Sequence, residues 1–542
     1  MNTAANPVAD SAVTAAVTTR TWRQMGWLVV YDLRQQWRER GTRALLAVAL
    51  LLAGLALWQG ENFRRGKAAA IEQAAAQQAA AVKAAEAEAA AFFANPGDPR
   101  WDNLRSWRSA FDLRGYVFRE HLGFAAKPLL PGAAFAIGQA DVLPSVVRVK
   151  AESMDSVRQS ADIVHPARLA AGRFDMHFFV VCLWPLVLLA GTLSVLTQER
   201  ENLRLPALSL LGVSPRQVLL AQAVARVLAA SAVLVVVMGL LALLIGALPF
   251  SAAGLAAWAA WAALATVYSL FWAAVAALVC ARASNRSTAA FAGFGAWVGI
   301  VVLLPALLSA AVSLAAPQPS REAYIVAVRD ATDQVQANRA SVVSRFYDQH
   351  PEWKPERTAL DKLPAAVTRL ARAAELERAM AGVDARFEQA RQRQARLLQV
   401  FSFVSPVSLT HEALSTLAGS SAARHQQFVA EVQLHQRQLR DFFQARIQRA
   451  ALNDERQPCP VVGATPNAGT CLGSYGFQDF NAVPRYQAGP SLNAAPAGAL
   501  AAGAVIAAWA LALLALAAWW VRRPAGKRSP VPQVSAAGVR NT

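Results

Sequence analysis

Charge is what this chain has least of. Only 16% of its 542 residues are Asp, Glu, Lys or Arg, against 55% hydrophobic residues; soluble proteins average about 25% charged. No soluble fold hides that much apolar side chain, so the composition points to a polytopic membrane protein. Inside the long apolar runs Asp, Glu, Lys and His are missing away from the ends, and the one internal cation, Arg226, lies in the first turns of its run. Proton- and ion-coupled carriers bury such groups within the membrane; their scarcity disfavours that class, and energy must come from elsewhere. No Gly-x-x-x-x-Gly-Lys-Ser/Thr loop occurs, so the chain is not expected to hydrolyse a nucleotide itself. Neither His-Glu-x-x-His nor Gly-x-Ser-x-Gly stands in a run to serve an intramembrane protease. The expectation is a protein that is not an enzyme and holds no cofactor or metal of its own.

Cysteine is scarce too, with four in all. Cys182 and Cys280 lie in apolar runs and read as small packed side chains. Cys459 and Cys471 lie in a polar loop rich in Pro and Gly. If that loop is outside the cell they are candidates for a disulfide, since such bonds persist in oxidising compartments. A metal pair is disfavoured because no histidine sits near them in sequence. The seven histidines are scattered; His165, His177, His411, His425 and His435 fall in the polar regions and read as scattered surface residues rather than metal ligands.

What the chain does have is six apolar runs: Ala44–Trp58, Phe178–Leu196, Ala221–Ala247, Leu255–Cys280, Ala289–Ala315 and Ala497–Val521. A helix needs about 20 residues to cross a hydrocarbon core of roughly 30 Å. The first run is short, but Arg43 can snorkel and Trp58 can anchor at the interface, so it too is read as a span. The fold class expected is an all-α polytopic membrane protein with six transmembrane helices and two large, mainly helical insertions, 59–177 and 316–495. Residues 1–19 lack pattern and read as disordered. Residues 20–43 form an amphipathic helix, with Trp22, Met25, Val29, Leu33 and Trp37 opposite Arg23, Arg34 and Arg38. That helix suits a membrane-surface anchor and a partner contact equally well.

In the first insertion, 67–93 is almost all Ala, Gln, Glu and Lys and predicts a helix reaching roughly 40 Å from the membrane; the remainder, with Pro131, Gly132, Gly138 and Pro144, reads as irregular. The second insertion carries a stripe of Leu376, Met380, Val383, Phe387, Ala390 and Leu397, and Val328, Val335 and Val342 repeat at seven. These predict helices packed on one another, broken at Pro351, Pro355 and Pro406. Between the second and third spans lies the segment 197–217, in which Leu203, Leu205, Leu208, Leu210 and Leu211 give a short helix an apolar side. Gly212, Ser214 and Pro215 then end it and open the third span, 218–247. Gly295 and Gly299 allow close helix approach, within one subunit by default or between two.

The net charge of +18 would suggest nucleic acid in a soluble protein, but here the basic residues flank the spans, and no nucleic-acid partner is expected. Arg34, Arg38, Arg40 and Arg43 precede the first span. Arg200, Arg204 and Arg216 follow the second, Arg282 and Arg286 the fourth, and Arg522, Arg523, Lys527 and Arg528 the sixth. In a six-span layout all four clusters fall on one side, which the positive-inside rule makes the cytoplasm. Both termini, the segment 197–217 and the basic tail 522–542 are then cytoplasmic, and both insertions are outside.

The layout resembles an ABC-2 type permease. The carriers of the resemblance are the amphipathic N-terminal helix, the six spans, and Gln198-Glu-Arg-Glu201 followed by Leu211-Gly-Val-Ser-Pro-Arg-Gln-Val-Leu-Leu220. Within that superfamily the chain is similar to a bacterial subgroup with two large periplasmic insertions, carried as a domain of unknown function. That likeness rests on Ala136-Ile-Gly-Gln-Ala-Asp-Val-Leu-Pro144, Ala171-Gly-Arg-Phe-Asp175, Ser405-Pro406, Leu417-Ala-Gly419, Arg424-His425 and Val483-Pro-Arg485. Asn202-Leu203 follows Glu-Arg-Glu where members of the family carry Gly-Thr. The resemblance implies the membrane subunit of an ATP-driven exporter in the bacterial inner membrane, dimeric with a second copy or a paralogue. ATP would be bound by a separate ATPase chain docked on Glu199, Arg200, Glu201, Arg204, Ser214 and Arg216. The alternative is a membrane assembly protein that transports nothing and grips a partner with its insertions.

Overall fold

The structure is a computed structural model that describes residues 26–101, 108–152, 173–201, 210, 213–354, 365–456, 472–493 and 498–522. It is mainly helical. α1 covers 26–38 and α2 Arg40–Ala94. α3 (176–201) contains a π-turn at Phe179–Leu183. α4 is Pro215–Leu244, α5 Ala252–Arg282, and α6 (Arg286–Ala315) has a π-turn at Val298–Leu303. α7 (Arg321–Ala337), α8 (Arg339–Gln349), α9 (Ala365–Ser402), α10 (Pro406–Ala418) and α11 (Ala422–Arg456) follow, and α12 is Gly498–Arg522. Six of these, α2 to α6 and α12, are long and apolar enough to cross a membrane, which makes the chain a multi-pass membrane protein.

α5 is the centre of the bundle, lying against α3, α4 and α12. Its sequence explains why. Ala273, Ala274, Ala276 and Ala277 let neighbouring backbones approach, while Trp261, Tyr268 and Trp272 fill the gaps between. A π-turn leaves carbonyls without their usual intrahelical partner, and here bulky side chains supply the donors. Tyr268 Oη donates to Val181 O at 2.9 Å and Trp297 Nε1 to Cys182 O at 2.9 Å, both inside the α3 π-turn. One turn on, Trp184 Nε1 donates to Ser269 Oγ at 2.9 Å. α6 is the opposite case, with Phe291, Phe294, Leu307 and Leu314 all open to the surroundings.

The first apolar run and the Ala-rich stretch, read separately in the sequence, are one 55-residue helix. The junction 59–66 contains two glycines but no proline, and Glu61 holds it by pairing with Arg64 and Arg65 one turn on, at 2.7 and 2.6 Å. Gly60 is required there for space: a Cβ would stand 2.0 Å from Ala134 O. The first insertion therefore packs directly on the helix that anchors it.

The two insertions share one core. Phe92, Trp101, Phe111 and Tyr116 from the first meet Phe428, Phe443, Phe477 and Phe480 from the second. Phe92 stacks on Phe111 at 3.9 Å, and Phe477 N donates to Phe111 O at 2.8 Å. The first insertion is not wholly irregular beyond α2. Gly123–Ala126 (β1) and Val146–Val149 (β2) form an antiparallel pair, Gly123 opposite Val149 and Ala126 opposite Val146. Alternate residues Ala125, Val147 and Val149 face the core, a period-two signal too short to stand out in the sequence. In the second insertion Val335, Val342 and Met380 are buried. Pro351 opens a short 3₁₀ turn and Pro406 opens α10 at its first turn, while Pro355 lies outside the described residues.

Two outcomes follow from this packing. Gly60→Ala should destabilise the detergent-solubilised protein by about 1–3 kcal/mol, as overpacking against immovable backbone does, seen as a lower thermal midpoint. His121 is buried between Tyr116 and Phe443, and burial pushes its imidazole from the ordinary 6.5 down to about 4. The unfolded chain takes up this proton at the higher value and the folded chain only at the lower. The stability His121 allows is therefore intact above 6.5 and lost as pH falls through that window. Near-UV circular dichroism across it should show weakened tertiary structure for the wild type and a flatter response for His121→Phe.

Candidate functional site

The end of the bundle that carries α1 and the 197–217 segment holds the sequence-predicted residues. Glu199, Arg200 and Glu201 form the last turn of α3, though the placement of their side chains lies outside the described residues, as does Arg204. Ser214 is the N-cap of α4. It forms a capping box in which its backbone N donates to Gln217 Oε1 at 2.8 Å and its Oγ accepts from Gln217 N at 3.4 Å. Pro215 occupies the first helical turn and the half-buried Arg216 follows. Of the leucines read as an apolar side, Leu210 is described and is 89% exposed.

Directly behind this capped end sits an ion pair that sequence reasoning missed. Arg226 Nε and Nη2 donate to Asp32 Oδ2 and Oδ1 at 2.7 and 2.8 Å, a bidentate fork, and both side chains are nearly inaccessible, at 2% and 1%. Arg226 Nη1 also donates to Gly191 O at 3.2 Å. One guanidinium thus ties α1, α3 and α4 together. The stripe read as the apolar side of a surface or partner-contacting helix is left partly open, with Val29 and Leu33 half-buried and Trp37 50% exposed, and the residue of α1 turned into the bundle is Asp32. The available signal was charge rather than periodicity. Asp32 is the one acidic residue between Asp10 and Glu39, and Arg226 the one ion within its span; two solitary opposite charges need one another in a low-dielectric bundle.

A second candidate lies in the insertions. α7, α9 and α11 enclose a cleft of about 1050 Å³. Its walls are basic and its floor, through Val335 and Met380, is apolar. Arg369 is held by Glu152 at 2.5 Å and Arg440 by Glu377 at 2.7 Å. Arg372 donates to Gln336 at 2.6 Å while its Nε has no acceptor among the described residues. The cleft is of ligand-binding size, and nothing in its chemistry is a catalytic constellation.

Cys459 and Cys471, the disulfide candidates, lie outside the described residues, as does His165. His177 and His411, 234 positions apart in sequence, have ring centroids 4.3 Å apart. Among the described residues no group of three His, Cys, Asp or Glu side chains is arranged to hold a metal ion.

Asp32→Ala would leave Arg226 buried and unpaired, a change that costs about 3–5 kcal/mol. A lower thermal midpoint and faster proteolysis near residue 38 should report it. Replacing both residues by Leu should recover most of the midpoint, because no orphaned charge remains.

Residues 321–456, which run from α7 through α11, match a family model described as a domain of unknown function, DUF3526. No curated protein and no solved structure matches the chain.

Proposed function

We propose that the chain is the membrane subunit of an ATP-binding-cassette exporter, moved by a separate ATPase chain that docks on the 197–217 segment. One observation carries this reading: the buried Asp32–Arg226 pair, with its bond to Gly191, joins the helices on both sides of that segment to α1. A push on the segment then moves three helices as one body rather than bending a loop. The capping box at Ser214 stiffens the start of α4, and Leu210 presents apolar surface to a partner. Glu199, Arg200, Glu201, Arg204, Ser214 and Arg216 are the proposed contacts, and ATP stays on the partner. The basic clusters beside the spans support a cytoplasmic side for this end and the opposite side for both insertions, and the resemblance to ABC-2 type permeases supports a bacterial inner membrane. A Cβ at Gly295 or Gly299 would meet no described atom within 4 Å, whereas Gly293 packs on Leu193. The open pair supports contact with a second copy or a paralogue.

A second reading has a specific observation of its own. The basic cleft between α7, α9 and α11 suits a protein that grips a partner outside the membrane and passes motion to it, with no solute crossing.

Purification of the tagged chain should retain a nucleotide-hydrolysing subunit. Arg204→Glu with Arg216→Glu should abolish that retention while leaving membrane insertion unchanged. Undiminished retention by the charge-reversed protein, or reporter fusions that place 197–217 outside, overturns the proposal. In liposomes, ATPase activity stimulated by a solute that accumulates inside supports export; stimulation only by an outer-face protein supports the second reading.

A further inference from the structure

Where α2 leaves its apolar stretch, four cationic side chains line one crevice. Arg64 and Lys67 come from α2, Lys127 directly follows β1, and Arg424 comes from the first turn of α11. Lys127 is 3% exposed, and its ammonium has no hydrogen-bond partner among the described residues. Arg424, 5% exposed, donates Nη1 to Gly419 O at 3.0 Å and Nη2 to Pro128 O and Leu492 O at 2.8 and 2.6 Å. Its Nε has no acceptor among the described residues. The carboxylates nearby are already engaged. Glu61 accepts from Arg64 and Arg65, and Glu431 accepts from Gly489 N, Ser491 Oγ and Tyr486 Oη.

Burial first, then the charges of Arg424 and Lys67, push the Lys127 ammonium from 10.5 down to about 8. A buried ammonium among other cations, with no acceptor, is strongly unfavourable, and an anion bringing oxygen acceptors removes that cost. The enclosed space is about 20 Å³, room for about one water-sized group. A ligand therefore inserts an oxygen or two and keeps the rest of itself outside. The crevice also sits level with the end of a span: Arg65, next to Arg64, donates to Ile245 O at the C-terminus of α4 at 2.6 Å. That is the depth of the polar headgroup layer.

We propose that this crevice binds a phosphate group, its non-bridging oxygens accepting from Lys127 Nζ and Arg424 Nε while Arg64 and Lys67 balance its remaining charge. A phospholipid headgroup and inorganic phosphate share this chemistry.

The test uses the full chain in a neutral sugar detergent, stripped of lipid and followed by thermal unfolding. Sodium phosphate is titrated against sodium chloride at equal ionic strength, and phosphatidylglycerol against a neutral glycolipid in mixed micelles. Stabilisation by phosphate assigns a free-anion site, and stabilisation by phosphatidylglycerol alone assigns a lipid headgroup site. In either case Lys127→Met should need at least a tenfold higher concentration for the same shift. That variant exchanges an unpartnered ammonium for an apolar chain and is expected to fold; if it does not, Lys67→Gln at a half-buried position is the variant read, with the same direction of change. Stabilisation by neither phosphate source, an equal effect of chloride, or an unaltered response in the variant read overturns the proposal.

Discussion

A guanidinium inside an apolar bundle must be met by a carboxylate, and the place where the two meet fixes which helices move together. Arg226 is the single ion in the interior of its span, and the carboxylate that meets it is on α1, 194 residues earlier. Breaking such a pair is far more costly than the pair is stabilising, so its weight is geometric. It permits one arrangement of α1 against α3 and α4 and makes every other arrangement expensive. An amphipathic helix without such a tie slides along the bilayer surface; with it, α1 becomes part of the bundle. In the proposed function, the same constraint gives a partner docked on 197–217 something rigid to move.

From that end, α2 runs without interruption to the insertion domain. Its 55 residues span about 80 Å at 1.5 Å per residue, from the turn after α1 to the aromatic core that both insertions build. Along the way it is fixed sideways twice, by the close approach of Gly60 to Ala134 and by the Arg65 bond to the end of α4. A displacement of the bundle therefore reaches the insertion domain through a helix rather than through loops. Both functional readings depend on this, since each needs the region outside the spans to respond to what happens at the other end.

The spans were legible because their signal is local: runs of apolar residues bounded by Arg and Trp, with the start of the third marked by Ser214-Pro215. The union of α2 was less so, because Gly60 and Gly66 look like breaks until the neighbour that requires Gly60 is known. The pairing of β1 with β2 and the meeting of His177 with His411 depend on contacts between distant segments, which no window of sequence displays. Asp32 was hidden by a competing rule. Periodicity gave α1 an apolar side through Leu33 suited to a membrane surface or a partner, and it carries no information on the charge partner that turns Asp32 toward Arg226. The predicted coupling residues are a different case: Ser214 and Arg216 are placed, while the side chains of Glu199, Arg200, Glu201 and Arg204 lie outside the described residues.

Three buried cations in this chain show three ways of meeting the same requirement. Arg226 is neutralised by a carboxylate, and the result is a joint between helices. Arg424 keeps its charge and satisfies its terminal nitrogens with three backbone carbonyls, which pins the Gly419 turn, the segment after β1 and the approach to α12 to one another. Gly419, with φ of 75°, is the left-handed residue that turns its carbonyl toward that guanidinium. Among the described residues Lys127 has neither a carboxylate nor a carbonyl, although it lies in the same crevice as Arg424. A structural lysine buried for packing alone would be replaceable by Met or Leu at no cost and would not need three more cations beside it. Its charge is expensive where it stands, and the arrangement is physically sensible only when an acceptor arrives from outside the chain.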